Sequence, residues 1–386
     1  MKKLSIARGA SLLGVALALS VAGNGPAPIS AASAQASRPP SPWTIPVGAK
    51  LRGLKMLDGW TDPREVKGDV NAPGWPDSSY LFGSAATGYE LHYSYSRYDF
   101  ADRTLRHKLN DIGPHRPGQV YPAFNLFKAT VRNGAWVSER LPINPSGAFD
   151  YAAAGMAASG SPYVFVTFEP KTPGSIATTG NIYEVERDAT GNWSAPVKLP
   201  YPVNTPCVQD NPTLSADGLT LYFDSNRKDP TGTECLGGTK IPFTGQRAIF
   251  VSHFQDGHWT APKRVAGAPN QDGPSNMQAF FAMDGRNLYW TSSRSDCPAI
   301  NCFYRAPILP DGSFQPAIMV AQPTPVGPAM DGKVIALGES SVTADGKYLA
   351  FVFVRSRITG KSKPIVGPAD QIEIGIAVAR RLHGGN

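Results

Sequence analysis

Five times along the chain a short apolar run meets a turn ending in glycine and comes back as a β-rich run. The clearest copies are PTLSADGLTLYFDSNR (212–227), AFFAMDGRNLYWTSSR (279–294) and SSVTADGKYLAFVFVR (340–355). Weaker copies are LFGSAATGYELHYSYSR (81–97) and GMAASGSPYVFVTFE (155–169). The turn glycines Gly88, Gly160, Gly218, Gly285 and Gly346 stand 72, 58, 67 and 61 residues apart. Asp-Gly between two β-type runs signals a tight hairpin, because such a turn needs positive φ and glycine adopts it without steric cost. A repeat of this kind decides the architecture before any other feature is weighed.

Two further landmarks accompany each hairpin. A turn and then an aromatic precede it: DGWTDPREV (58–66), NGAWVSERL (133–141), GNWSAPVKL (191–199), GHWTAPKRV (257–265) and GSFQPAIMV (312–320). A β-rich run follows it: AFNLFKATV (123–131), NIYEVER (181–187), AIFVSHF (248–254), CFYRAPI (302–308) and IEIGIAV (372–378). The unit therefore has four strands: a and b in the hairpin, c in the run after it, d at the aromatic. With 39 Gly and 36 Pro, 17% charged and 41% hydrophobic residues, the chain is no helical bundle, and it has enough apolar content for a core. Four-stranded units repeated radially make a β-propeller, whereas a linear stack would leave edges to be capped. The chain opens on a lone d strand at Trp60 and closes on a lone c strand at 372–378. Pairing those two completes a fifth blade, so the expectation is an all-β, five-bladed propeller of four-stranded blades, closed by its N-terminal strand.

PTLSADGLTLYFDSNR resembles the repeat of TolB-like propellers, and GNWSAPVKLP is similar to the segment that precedes it in such exported proteins. The resemblance implies the propeller fold and is nearly silent on function. It also offers one role, that of a protein-interaction module in the envelope. The chain departs from TolB itself in having five copies where that protein has six blades, and in lacking a separate N-terminal α/β domain. It also lacks the Ser-x-Asp-x-Gly-x-Thr-Trp box of sialidase-type propellers.

The first 36 residues read as a signal peptide, with Lys2, Lys3 and Arg8 before an apolar stretch, Ala10 to Ala22, that is too short to span a bilayer. Cleavage is expected after Ala36, with Ala22 the alternative. Residues 37–57 form an N-terminal extension, 58–381 the propeller and 382–386 a tail. A periplasmic or secreted protein without a membrane span follows. Loss of the leader takes the net charge from +7 to +4, too little to suggest nucleic acid. Four cysteines in an oxidising compartment read as two bridges, Cys297–Cys302 as the local pair and Cys207–Cys235 as the remainder. No histidine stands at ligand spacing, and no phosphate loop or calcium loop occurs, so neither metal nor cofactor is expected.

Strand alternation puts the short a–b and c–d turns on one face and the long b–c and d–a segments on the other. That second face, which also holds all four cysteines, is where function is expected. Nine residues after each turn glycine stand Arg97, Glu169, Arg227, Arg294 and Arg355. The arginines either brace neighbouring blades or bind a ligand, and Glu169 either pairs with one of them or acts as an acid at the mouth. Just before strand a stand Asp77, Asp150, Asp210 and Glu339, with Asn276 and Gln278 in the fourth copy. Two such carboxyls across an axial funnel would suit glycoside hydrolysis. Trp75, Tyr80, Phe149 and Tyr151 beside them would suit sugar rings or blade packing. His92 reads as packed. His107 and His115 lie in a basic insertion, 99–121, that is either a solvated face or a lid.

The leading expectation is a carbohydrate-like or anionic ligand in the axial funnel. Candidate contacts are Trp75, Arg97, Arg227, Arg294, Arg355 and Gln278. The alternative is a glycan-active enzyme, hydrolase or lyase, using carboxyls among Asp77, Asp150, Glu169, Asp210 and Glu339. A protein partner is the third.

Overall fold

The five hairpins fold into five small antiparallel sheets set in a ring, a five-bladed β-propeller. The structure is a computed structural model. It describes residues 43–72, 74–96, 125–143, 150–152, 160–170, 177–236, 246–271, 275–325, 327, 330–357 and 372–382, with the backbone alone at 96, 150–152, 168–170 and 177–179. The leader, the 99–121 insertion with His107 and His115, and Arg97 lie outside the described residues.

The first blade contains Trp75–Ser84, Gly88–Ser96, Asn125–Arg132 and Ala135–Arg140 as strands a to d. The second contains Asp150–Ala152, Tyr163–Pro170, Ala177–Val185 and Val197–Lys198. In the third, Gln209–Leu214, Thr220–Ser225 and Ala248–Gln255 are followed by a d strand split into His258–Trp259 and Lys263–Arg264. The fourth has Asn276–Phe281, Asn287–Ser292, Cys302–Pro307 and Ile318–Pro323. Val334–Val342, Tyr348–Ser356 and Ile372–Arg381 make the fifth, completed by Trp60–Val66 from the other end of the chain.

That closure pairs Ala377 with Glu65 and Arg381 with Trp60. Arg355 on strand b donates to Glu65 on d at 2.6 Å and to Glu373 on c, so one guanidinium spans the seam. Trp60 is 2% exposed and packs in the core shared by the fourth and fifth blades.

Two blades carry a fifth strand, which corrects the expectation of four throughout. Val47–Lys50 pairs with the closing strand outside the fifth blade, and Leu54–Met56 pairs with Ile318–Pro323 outside the fourth. The stretch 47–56 is thus paired into these sheets. It covers the outer edges of the last two blades, where unpaired backbone groups would otherwise invite another chain.

Between blades an asparagine clasp recurs. Asn71, Asn204 and Asn270 each accept from and donate to one strand-c residue, respectively Ile376, Ile182 and Ile249, at 2.7 to 2.9 Å. Each satisfies backbone groups that the turn after strand d leaves unpaired. Both disulfides form as expected, Cys207–Cys235 and Cys297–Cys302. Among the described residues no helix is long and apolar enough to cross a membrane.

Candidate functional site

The innermost strands do not run straight. Pairing of a with b slips between Asp77 and Tyr80, between Asp210 and Thr213, between Met277 and Phe280, and between Gly338 and Ser340. Each slip is a β-bulge, an extra residue that bends the strand and re-aims its side chains. In three blades the extra residue is left-handed without being glycine: Ser78 at φ 53°, Asn211 at 47° and Gln278 at 57°. Such backbone is uncommon outside glycine, and its recurrence at one height in three blades marks a feature of the axis. Just ahead of the bulge, Asp77 and Asp210 each accept the N–H of the next residue at 2.9 Å, which holds both carboxyls in matching positions.

From these bulges a chain of polar contacts runs across four blades. The Asp77 carboxyl of the first blade stands close enough to the Glu339 carboxyl of the fifth for each to shift the other's proton affinity. Glu339 Oε1 accepts from Gln278 Nε2 of the fourth at 2.7 Å, and the Gln278 carbonyl accepts from Thr291 Oγ1 at 2.7 Å. The Gln278 N–H donates to Asp224 of the third blade at 3.0 Å. Asp224 also accepts from Asn211 Nδ2 at 2.9 Å and from Arg247 Nη1 at 2.7 Å; the same nitrogen donates to Asp210 at 2.8 Å. Trp75 Nε1 donates to Asp77 at 3.1 Å and fixes its outer oxygen.

Electrostatics divide these acids. Burial pushes Glu339 well above the usual carboxyl range, and the negative charges of Asp77 and Asp210 push the same way. Burial also raises Asp77, while Glu339 and the Trp75 N–H oppose that rise. Of this coupled pair Glu339 is pushed the further, so the pair holds a proton above the ordinary carboxyl range. Asp224, fully buried, is raised by burial against the pull of Arg247. Arg247 is held charged, its burial outweighed by Asp224 and Asp210.

Alongside these groups the axis holds a cavity of about 30 Å³, lined among others by Ser79, Asn211, Thr213, Gln278, Glu339 and Ser340. Asp77, Asp210, Gln278 and Glu339 are only half-buried, so solvent reaches the cluster. A larger groove of about 420 Å³ beside Lys198, Pro200 and Tyr201 is shallow and has a single charged side chain in its wall.

Of the residues singled out in the sequence, Asp77, Asp210, Glu339, Gln278 and Trp75 come together here. Asp150 does not share their register: it pairs with Phe168, and Ala152 occupies the position of Asp77 and Asp210. The side chains of Asp150 and Glu169 lie outside the described residues, although the Glu169 backbone pairs with Thr179. Three of the four candidate arginines, Arg227, Arg294 and Arg355, are engaged with other residues of the chain, and Arg97 lies outside the described residues. Arg227, 2% exposed, spends its donors on Ser225 Oγ and on the Pro202 and Val203 carbonyls. Arg294 lies over Tyr304 and reaches Asp296 at 3.7 Å, and Arg355 serves the seam. These are braces, the plainer of the two readings of that position. His92 is fully buried, its Nε2 2.6 Å from Glu90.

Arg247, Asp224 and Asn211 were not anticipated. Asp224 left a signal: its strand-b position holds Ser94, Val166, Thr291 and Val352 in the other copies, so it is the one charge there. Arg247 left none, standing in an unrepeated loop just before strand c.

No protein-family model matches the chain, and no curated protein matches its sequence. Solved structures resemble it at low identity. An α-L-arabinofuranosidase from Lactobacillus brevis is 14% identical, over 81% of this chain and 92% of that one, with a TM-score of 0.43. A xylan β-1,4-xylosidase from Bacillus halodurans is 13% identical over 83% of this chain, which spans 57% of the xylosidase, with a TM-score of 0.43. TolB from Acinetobacter baumannii is 15% identical over 77% and 67%, with a TM-score of 0.34. Likeness at this level carries no inference about ligand or reaction.

Proposed function

We propose that the protein binds a carbohydrate-like, polyhydroxylated ligand at the axial mouth, in the periplasm or outside the cell. One observation carries this reading: half-buried polar side chains from four blades, Asp77, Asp210, Gln278 and Glu339, converge at one height. A sugar hydroxyl donates and accepts at once. A cluster that mixes carboxylate, carboxylic acid and amide meets both needs. Trp75, tethered to Asp77, supplies an aromatic beside it. The two disulfides support the compartment. An anionic ligand, and with it a lyase acting on a uronate, has less support, because Arg227, Arg294 and Arg355, expected to neutralise it, have partners within the chain.

A second reading rests on the raised proton affinity of Glu339 beside Asp77. A glutamic acid that keeps its proton above the ordinary range can protonate a glycosidic oxygen, while a second carboxylate, Asp210, faces the developing positive charge. Screening the protein against a polysaccharide panel for binding and product release tests both. Binding that Asp77→Asn with Glu339→Gln abolishes supports the first reading, and silence across the panel contradicts it. Product release that Glu339→Gln alone abolishes supports the second.

A further inference from the structure

The axial cavity is too small for a sugar ring. At about 30 Å³ it has the size of a water molecule or an ammonium group. Its wall contains a hydroxyl with nothing to bond: Ser340 is 5% exposed, and its Oγ has no partner. A buried hydroxyl left unsatisfied costs stability unless something else meets it. Ser341 next to it is satisfied, accepting the Leu81 N–H at 2.7 Å.

The charges around the cavity favour a cation. The carboxyls of Asp77, Asp210 and Asp224 gather there beside Glu339, and among the described residues Arg247 is the cation that faces them. Its shared nitrogen is committed to Asp210 and Asp224 on one side of the cluster. Asp77 and Glu339, on the other side, have each other, Gln278, Trp75 and the Ser78 N–H, but no cationic partner among the described residues. An ammonium group carries three donors and no acceptor. Ser340 Oγ, the Glu339 carboxyl and the Asn211 side-chain carbonyl are acceptors in the wall of this one cavity.

We infer that the cavity is a primary-amine pocket, and that the ligand is a polyol carrying a protonated amine, as an amino sugar does, with its ring remaining at the mouth. This rests on the carbohydrate reading above and narrows it.

The test compares two probes that differ only in the amine, a chitosan tetramer and the fully N-acetylated chitin tetramer. Titration calorimetry with the full mature chain is run in choline chloride, whose cation is too large for the cavity. The expected result is at least tenfold tighter binding of the chitosan tetramer. Ser340→Val, which adds a methyl group to the cavity, and Ser340→Ala, which removes the hydroxyl with little risk to folding, should each reduce that preference. Equal affinity for the two probes overturns the amine pocket and leaves the carbohydrate reading standing. Failure of both probes also overturns it, and the carbohydrate reading falls only if the whole polysaccharide panel is silent as well. A preference unchanged in both Ser340 variants overturns the assignment to this cavity.

Discussion

Glu339 and Asp77, side chains of the fifth and first blades, meet where the last blade adjoins the first, and each carboxyl shifts the proton affinity of the other. They belong to the two ends of the chain's run of blades, so the pair exists only because the ring closes. Its consequence for stability has a definite sign. Glu339 titrates higher in the folded protein than its ordinary value of about 4.5. Between those two points the folded state holds more protons than the unfolded one, so stability falls as pH rises through that window. Glu339→Gln keeps donor and acceptor groups for Asp77 and Gln278 but removes the titration. Melting temperature measured from pH 4 to 9 should decline toward high pH in the wild type and flatten in the variant. Parallel profiles would count against the raised titration of Glu339.

Arg247 is held between Asp210 and Asp224, and its side chain is 6% exposed. Arg247→Met strands two carboxylates, one of them fully buried, and should cost about 3–5 kcal/mol in urea unfolding. Adding Asp224→Asn should recover part of that loss, since asparagine can still accept from Asn211 or the Gln278 N–H. A double variant no more stable than the single would show that the charge pair is not the cause.

Closure of the ring rests on packing more than on ions. Trp60, almost wholly buried, should cost about 3–5 kcal/mol as Trp60→Ala. Arg355→Ala breaks two partly exposed ion pairs, of which the one to Glu65 crosses the same seam, and should cost no more than about 1 kcal/mol. The reverse order in thermal unfolding would contradict this division.

The disulfides should differ in weight. Cys207–Cys235 spans 28 residues of sequence and Cys297–Cys302 spans 5. Loop-closure entropy assigns them about 3.6 and about 2.2 kcal/mol respectively. Paired alanine variants compared by denaturant unfolding should therefore separate by about 1 kcal/mol or more. Equal losses would place the stabilisation in the folded state instead.

These contrasts follow what could be read from residues alone. Gly218 in an Asp-Gly turn announces its hairpin locally, and the repeat of such turns led to the blade count and to the closing pair of Trp60 and the last strand. Cys297 and Cys302 lie close enough in sequence for their bridge to be the obvious local one. The bulges could not be read. Ser78, Asn211 and Gln278 share no residue type, and a slip in pairing register has no compositional mark. Without the register, Asp150 looked equivalent to Asp77 although it sits two positions earlier. Arg247 remained hidden because its role arises only when strands a and b of its own blade bring Asp210 and Asp224 together. Val47–Lys50 and Leu54–Met56 are too short to show a period, so their cover of two outer edges was equally invisible.

Carboxyl-carbon NMR reads the raised titration of Glu339 beside Asp77 most directly. In a pH titration of carbon-13-labelled protein, one glutamate carboxyl should titrate well above the ordinary range. That resonance should vanish in Glu339→Gln, and an aspartate resonance should move with it. Carboxyls that all titrate in the ordinary range, or a profile unchanged by Glu339→Gln, would contradict the account.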